Sequence, residues 1–326
     1  MILALETSCD DTCAALVAHD GTIAANVISS QEVHARFGGV VPEVAARHHL
    51  ELLDAVLAEA LARAGATFED VSLVAATRGP GLVGALLVGF SAAKAIAAAR
   101  ELPFAPVDHI AAHVAAAHLA PARFEPPFVA LIASGGHTLV LDVRERAGPW
   151  EVLARTLDDA AGEAFDKGAR LLGLGYPGGA ALSALAREGD PGAHRFPTGR
   201  GEQFSFAGLK TALLYRTREV DMDDPRVRAD LAASYEHAIV EALAARVERA
   251  LERTGCARLV VGGGVAANAP LRARLATLGA ELYAPPAELC TDNAAMIASA
   301  ARDVTALPYP DYLALDVYAT GEGPLR

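Results

Sequence analysis

The sequence predicts an α/β protein folded as two lobes with a cleft between them, and three observations carry that reading. The 326 residues are enough for about two domains at roughly 100 to 200 residues each. The order βββ then αβα can be read twice along the chain. Glycine-rich turns close buried strands, at Arg78-Gly79-Pro80-Gly81 in the first half and Gly262-Gly263-Gly264 in the second.

Short β patterns at Ile2 to Leu5, Thr12 to Ala18 and Ile23 to Ile28 predict a meander, with a turn at Asp20-Gly21. Pro42 then opens a helix whose Val44, Leu52, Leu53, Val56, Leu57 and Leu61 recur at helical spacing until Gly65 closes it. A buried strand at Leu73 to Ala76, an apolar helix from Val83 to Arg100, a strand ending near Val107 and a helix carrying His109 and His113 complete the first half. Pro121 to Pro127 reads as a hinge. The second half offers a hairpin of Phe128 to Ala133 and Thr138 to Val143, a strand within Trp150 to Thr156, and helices from Asp158 onward. A long helix from Val227 to Thr254 follows, then a strand at Leu259 to Val261, a helix from Pro270, a strand near Glu281 to Ala284 and a last helix after Asp292.

Composition removes several function classes. Hydrophobic residues make up 52% of the chain and charged residues 21%, which supports packed cores rather than disorder. Met1 to Leu5 lacks the basic flank of a secretory signal. The apolar run Leu82 to Ala93 is shorter than the ~20 residues a membrane span needs, so no membrane association is expected. Four cysteines are too few for a disulfide framework and read as reduced thiols of a cytoplasmic protein. A net charge of −12 opposes indiscriminate polyanion binding. A nucleic acid would need a local basic patch, for which Arg216/Arg218, Arg226/Arg228, Arg246/Arg249/Arg253 and Arg272/Arg274 are candidates.

The strongest chemical signal is His109-Ile-Ala-Ala-His113. Residues four apart on a helix are offset by about 40°, so both imidazoles leave one face and can share a metal ion. His118 points roughly 140° away and is read as no ligand. A zinc-protease motif needs a glutamate between the histidines, and Ile110, Ala111 and Ala112 stand there. The turns Ser134-Gly135-Gly136-His137-Thr138 and Gly262-Gly263-Gly264, the latter followed by Asn268, let backbone amides approach a phosphate. Read as belonging to separate halves, they place a nucleotide between the lobes. Acids cluster at Glu6/Asp10/Asp11, at Asp158/Asp159/Glu163/Asp166, where Asp158 and Asp159 read as helix caps, and at Asp292. Asp11 and Asp292 stand at strand-to-element junctions, where ligands collect in α/β folds.

With these segments in order, the chain closely resembles the bacterial catalytic subunit of the tRNA N6-adenosine threonylcarbamoyltransferase family, once labelled O-sialoglycoprotein endopeptidase. The resemblance runs through ETSCDDT (Glu6 to Thr12), GGVVPEVAARHH (Gly38 to His49), GPGLVGALLVG (Gly79 to Gly89) and HIAAH (His109 to His113). It continues through SGGHT (Ser134 to Thr138), DDAAGEAFDKGARLLGLGYPGG (Asp158 to Gly179), FSFAGLK (Phe204 to Lys210), GGGVAAN (Gly262 to Asn268) and CTDNAAMIA (Cys290 to Ala298). It implies two actin-like (RNase H-like) lobes with an inter-lobe cleft: residues 1–125 completed by 293–326, and 126–292 as the nucleotide-binding lobe.

The same resemblance implies one divalent metal, Fe2+ ahead of Zn2+ or Mg2+, on His109, His113 and Asp292. It implies substrate contacts at Ile132, Ala133, Ser134, Gly135, Gly136, Asp166, Gly179 and Asn268; Asp11, singled out by its strand junction and not by the resemblance, is the candidate to accept the amine proton. The implied reaction moves a threonylcarbamoyl group from threonylcarbamoyl-adenylate to N6 of the adenosine beside the anticodon of tRNA. The implied partners are a separate synthase that makes the donor, a paralogous subunit and a small ATPase; apart from the resemblance, the Ala- and Val-rich N-terminal lobe, above all the helix from Val83 to Arg100 with its small side chains, is either a face for the paralogue or an ordinary core helix. In two places the chain departs from relatives. Ile132 stands where archaeal and eukaryotic relatives have a metal-binding tyrosine, leaving a coordination position to substrate or water, and Ser183 stands where some relatives have an acid. An ATP-dependent kinase or ATPase of the same superfamily would have no use for a His/His/Asp site. A non-catalytic scaffold paralogue should have lost HIAAH and CTDN, which this chain keeps.

Overall fold

The computed structural model describes residues 1–199 and 201–319. Strands β1 (Ile2–Glu6), β2 (Asp11–Val17) and β3 (Ile23–Ser30) lead to helix α1 (Pro42–Ala64), then β4 (Leu73–Gly79), α2 (Val83–Ala99), β5 (Phe104–Asp108) and α3 (His109–Ala115). Strands β6 (Phe128–Ala133), β7 (Thr138–Val143) and β8 (Glu151–Arg155) precede helices α4 (Ala161–Leu171), α5 (Gly178–Ala186), α6 (Ala207–Thr217) and α7 (Pro225–Thr254). Strand β9 (Arg258–Gly262), α8 (Ala269–Ala276), β10 (Glu281–Tyr283), the single turn α9 (Ala287–Cys290) and α10 (Ala294–Ala301) follow.

These elements form two compact units. The first holds Met1–Pro126, Glu145–Pro149 and Thr291–Arg326; the second holds Pro127–Arg144 and Trp150–Cys290. Asp292, which the sequence division set in the second lobe, therefore belongs to the first unit. Each unit is built on a five-stranded sheet of the same order, β3-β2-β1-β4-β5 in the first and β8-β7-β6-β9-β10 in the second. The meander strands pair antiparallel, while β1, β4 and β5, and likewise β6, β9 and β10, run parallel. All five residues of β1 and all six of β6 are buried, which is why both read as continuous apolar runs rather than alternating ones.

Helix boundaries follow local chemistry. Pro42 stands in the first turn of α1, and Gly65 closes it in the left-handed region at φ 60°. Asp224 caps α7 by accepting from the Arg226 N–H, Pro225 follows in the first turn, and Gly255 ends the helix at φ 64°. Asp158 corrects its sequence reading. It caps α6 rather than the helix that follows it in sequence, accepting from the N–H groups of Phe206 and Ala207 and from the Ser205 hydroxyl. The core of the first unit packs α1 and α2 on the sheet around Leu5, Leu16, Phe90 and Phe104; that of the second packs α4, α5 and α7 around Leu131, Phe165, Tyr235 and Leu243. All four cysteines are free, and among the described residues no helix is long and apolar enough to cross a membrane.

Candidate metal and nucleotide sites

In the first unit the carboxyl ends of the parallel strands converge. The sheet register sets Leu5 beside Ala76 and Gly79 beside Asp108, so Glu6 and the start of α3 come to one edge, where α/β folds collect ligands. Asp108 caps α3, accepting from the Ile110 and Ala111 N–H groups at 2.9 and 3.0 Å. It also accepts the Tyr318 hydroxyl at 2.5 Å, so the helix start is held from two directions. A cap of this kind is worth about 1 kcal/mol.

His109 and His113 leave the same face of α3, with ring centroids 4.8 Å apart. Asp292 joins them through Oδ1, 3.5 Å from His109 Nε2 and 3.3 Å from His113 Nε2. The backbone there is fixed on two sides: Asn293 caps α10 through the Met296 N–H, and Cys13 Sγ donates to the Asp292 carbonyl at 3.6 Å. One ligand atom from each of the three residues falls within a 4.8 Å group. Among the described residues both ring nitrogens of His113 are buried without a hydrogen-bond partner. A buried imidazole with no partner beside a carboxylate costs free energy unless something coordinates it. The donor set therefore fits a divalent cation, and among the described residues His118 is outside the converging group.

Sequence reasoning placed Glu6 in an acid cluster but missed its role. Glu6 is fully buried, and its Oε2 lies 3.0 Å from His109 Nδ1. The Ser8 N–H and the Thr77 hydroxyl donate to the same carboxylate. That bond fixes the His109 tautomer and turns Nε2 toward Asp292, as a supporting carboxylate does at metal sites. Its sequence signal is an acid closing the apolar run Ile2-Leu3-Ala4-Leu5. Asp11 opens β2 and accepts from the Ser30 hydroxyl at 2.5 Å. Burial raises its carboxyl, the Ser30 bond lowers it, and Asp292, Asp10 and Glu6 raise it further, to about 7.

The second unit holds the remaining predicted residues. Both glycine-rich turns lie here, on neighbouring strands β6 and β9, and not in separate halves as expected from the sequence. Ile132 and Ala133 are fully buried in β6; what lies open is the turn that β6 carries. A Cβ added at Gly135 or Gly136 would meet open space, and neither has a positive φ, so these glycines keep the turn free of side chains instead of relieving strain. Gly263, by contrast, sits at φ 85° with the Ala133 carbonyl 2.4 Å from any added Cβ. The turn is braced by its own Ser134 hydroxyl on the His137 N–H and by the Gly162 N–H on the Ser134 carbonyl. Asp166 accepts from the Gly178 and Gly179 N–H groups at 2.8 and 3.2 Å. Asn268 caps α8 through the Leu271 N–H and donates to Glu236 at 2.7 Å and Ser183 at 3.1 Å. Ser183 donates to the same Glu236 oxygen. Glu236, a buried acid, escaped the sequence reading, although it stands four residues from both Ala232 and Val240 on the buried stripe of α7.

The fold class is actin-like. The Acidaminococcus fermentans (R)-2-hydroxyglutaryl-CoA dehydratase component A superposes with a TM-score of 0.56 at 16% identity, covering 93% of this chain and 95% of its own. A ROK family glucokinase from Streptomyces griseus does so at 0.51 and 13% identity, covering 93% and 98%. Both have the actin-like fold of sugar kinases. A sequence model described as tRNA N6-adenosine threonylcarbamoyltransferase matches residues 22–299. A protein of that name from Pelobacter propionicus is 50% identical over 331 residues, 98% of this chain and 96% of the relative. The chain belongs to the tRNA N6-adenosine threonylcarbamoyltransferase family, and so to the transferases that modify tRNA.

Proposed function

We propose that the chain transfers a threonylcarbamoyl group from threonylcarbamoyl-adenylate to N6 of the adenosine beside the anticodon, in tRNAs reading codons that begin with adenine, releasing AMP. In this reading one divalent metal is held by His109, His113 and Asp292. The observation that carries it is the convergence of two imidazoles on a carboxylate, with both His113 nitrogens buried and unpartnered. Two imidazoles and one carboxylate suit Fe2+ first and Zn2+ second, whereas Mg2+ favours oxygen ligands and water. When bound, the metal supplies charge stabilisation to the phosphate or carbonyl oxygen of the donor.

The protein's own part is positioning. The donor is a mixed anhydride, so a weak amine attacks an activated carbonyl and orientation decides the rate. Glu6 keeps His109 Nε2 aimed. Asp11 accepts the proton that the attacking amine must lose, and a carboxyl near 7 suits a general base at neutral pH. The side-chain-free turn at Gly135 and Gly136, together with Ile132, Ala133, Ser134, Asp166, Gly179 and Asn268, holds the adenylate. A separate synthase supplying the donor, a paralogous subunit, a small ATPase and a cytoplasmic location complete the proposal. It is tested by mass spectrometry of tRNA nucleosides from cells depleted of their own enzyme and supplied with this chain. Return of threonylcarbamoyladenosine is expected; its continued absence despite soluble expression would reject the reading.

A further inference from the structure

Most basic residues that could meet an RNA are already used within the second unit. Arg216 pairs with Glu219, Arg226 with Asp230 and Arg274 with Glu241. Arg228 and Arg272 donate to backbone carbonyls. One group differs. Arg246, Arg249 and Arg253 follow one another at helical spacing on α7, within about 60° of a single face. They line a recess of about 410 Å³ together with Leu153, Ala154, Ala250, Glu202 and Glu252.

Arg246 is buried, 3% exposed. Its Nη1 donates to the carbonyls of Thr198 and Ala242, and among the described residues its Nε has no partner. Arg249 is exposed and donates to the Gly201 carbonyl. Among the described residues no carboxylate forms an ion pair with either guanidinium, and Arg253 reaches Glu151 at 3.6 Å with both side chains largely exposed. A buried guanidinium without a counter-charge is costly, and the fold has made room for this one: a Cβ at Gly199, which sits at φ 70°, would stand 2.7 Å from Arg246 Nη2. Glu202 and Glu252 on the wall and Glu151 beside Arg253 equal the three guanidinium groups in number, but among the described residues none of them forms an ion pair with Arg246 or Arg249.

We infer that this recess on α7 binds a phosphate oxyanion, with Arg246 at its floor and Arg249 and Arg253 at its rim, and that the phosphate it takes is one of the RNA backbone. The RNA assignment rests on the family's tRNA substrate; the phosphate chemistry rests on the recess alone.

Two arms separate these parts. In the first, binding of an unmodified tRNA transcript to the full chain is followed against salt for the wild type and for Arg249→Gln/Arg253→Gln. A control, Arg216→Gln/Arg226→Gln, carries the same charge change at paired positions. The recess variant should bind about tenfold more weakly, with the salt slope reduced by about 1 to 2, and the control should stay near wild type. In the second arm, inorganic phosphate should raise the melting temperature of the wild type but not of the recess variant; Arg246→Lys, which keeps the charge but not the guanidinium fork, should show a reduced effect. Loss of phosphate protection with unchanged RNA affinity would keep the anion site and reject RNA as its source. Wild-type behaviour of the recess variant in both arms, or equal loss in the control, would overturn the inference.

Discussion

Glu6 and His109 each make the other's charge tolerable. Burial works against the His109 cation, yet Asp292 and Glu6 outweigh it and raise the imidazole to about 9. Burial likewise raises Glu6, but the His109 charge and hydrogen bond bring it below its usual range. Because the folded value of His109 lies above the unfolded value near 6.5, the metal-free chain carries this stabilisation below about pH 6.5 and loses it as pH rises through about 9. Its melting temperature should therefore fall over that window, and Glu6→Gln should flatten the dependence; a pH-independent midpoint would refute the coupling. The same proton must leave before His109 can coordinate, so metal affinity should rise about tenfold per pH unit over the window. Glu6→Gln should weaken metal binding about 10- to 100-fold, and His113→Ala should abolish stoichiometric metal while far-UV dichroism stays native. Retention of metal by His113→Ala would remove it from the ligand set. If Asp11 is the base, kcat/KM should fall as pH drops through about 7, and Asp11→Asn should remove that limb together with most of the activity.

Two glycine-rich elements of the second unit look alike in sequence and differ in what they do. Gly135→Ala meets no neighbouring atom, so it should leave the melting temperature unchanged while weakening nucleotide binding, because the new methyl would stand in the space proposed for the nucleotide. Gly263→Ala meets the Ala133 carbonyl and a positive φ, so it should destabilise the fold. Calorimetry of both variants with a non-hydrolysable adenylate separates the cases, and equal destabilisation would remove the distinction. Asn268→Ala should cost about 1 kcal/mol through loss of the α8 cap and should weaken nucleotide binding with metal content unchanged. Unaltered affinity would leave Asn268 as a cap and a partner of Glu236 and nothing more.

At the scale of the whole molecule, a net charge of −12 must be reconciled with a polyanionic substrate, and a shared tRNA surface would ease that conflict. The isolated chain, given tRNA and pre-formed threonylcarbamoyl-adenylate, should turn over poorly until the paralogous subunit and the small ATPase are added; partner-independent multiple turnover would reject the requirement. If the paralogous subunit docks on α2, as the sequence reading expects, its contacts would run along the α1–α2 seam. Gly84 on α2 lies against Ala46 on α1, its added Cβ 3.5 Å from that of Ala46. One turn along each helix, Leu87 and Leu50 remain 42% and 68% exposed. Leu87→Asp should lower the melting temperature by no more than a few degrees, since the side chain is only partly covered, and should lower affinity for the purified paralogous subunit at least tenfold. Unchanged affinity would move the interface elsewhere.

Sequence alone determined the elements and one face of the metal site. Apolar runs, the proline and glycine at the ends of α1 and the doubled βββ-αβα order are local signals, and so is the four-residue spacing that turns His109 and His113 together, because each depends on chain neighbours within a turn or a strand. The tertiary structure decided what depends on distant contacts. It brought Asp292, 179 residues beyond His113, up to both imidazoles, and it set Glu6 behind His109 by aligning β1 with β4 and β5. It gave Asp158 the cap of α6. It also separated Arg246 and Arg249 from arginines that look the same in sequence. Hydrophobic periodicity records which face of an element is buried, but not which charged group from elsewhere in the chain will be buried against it.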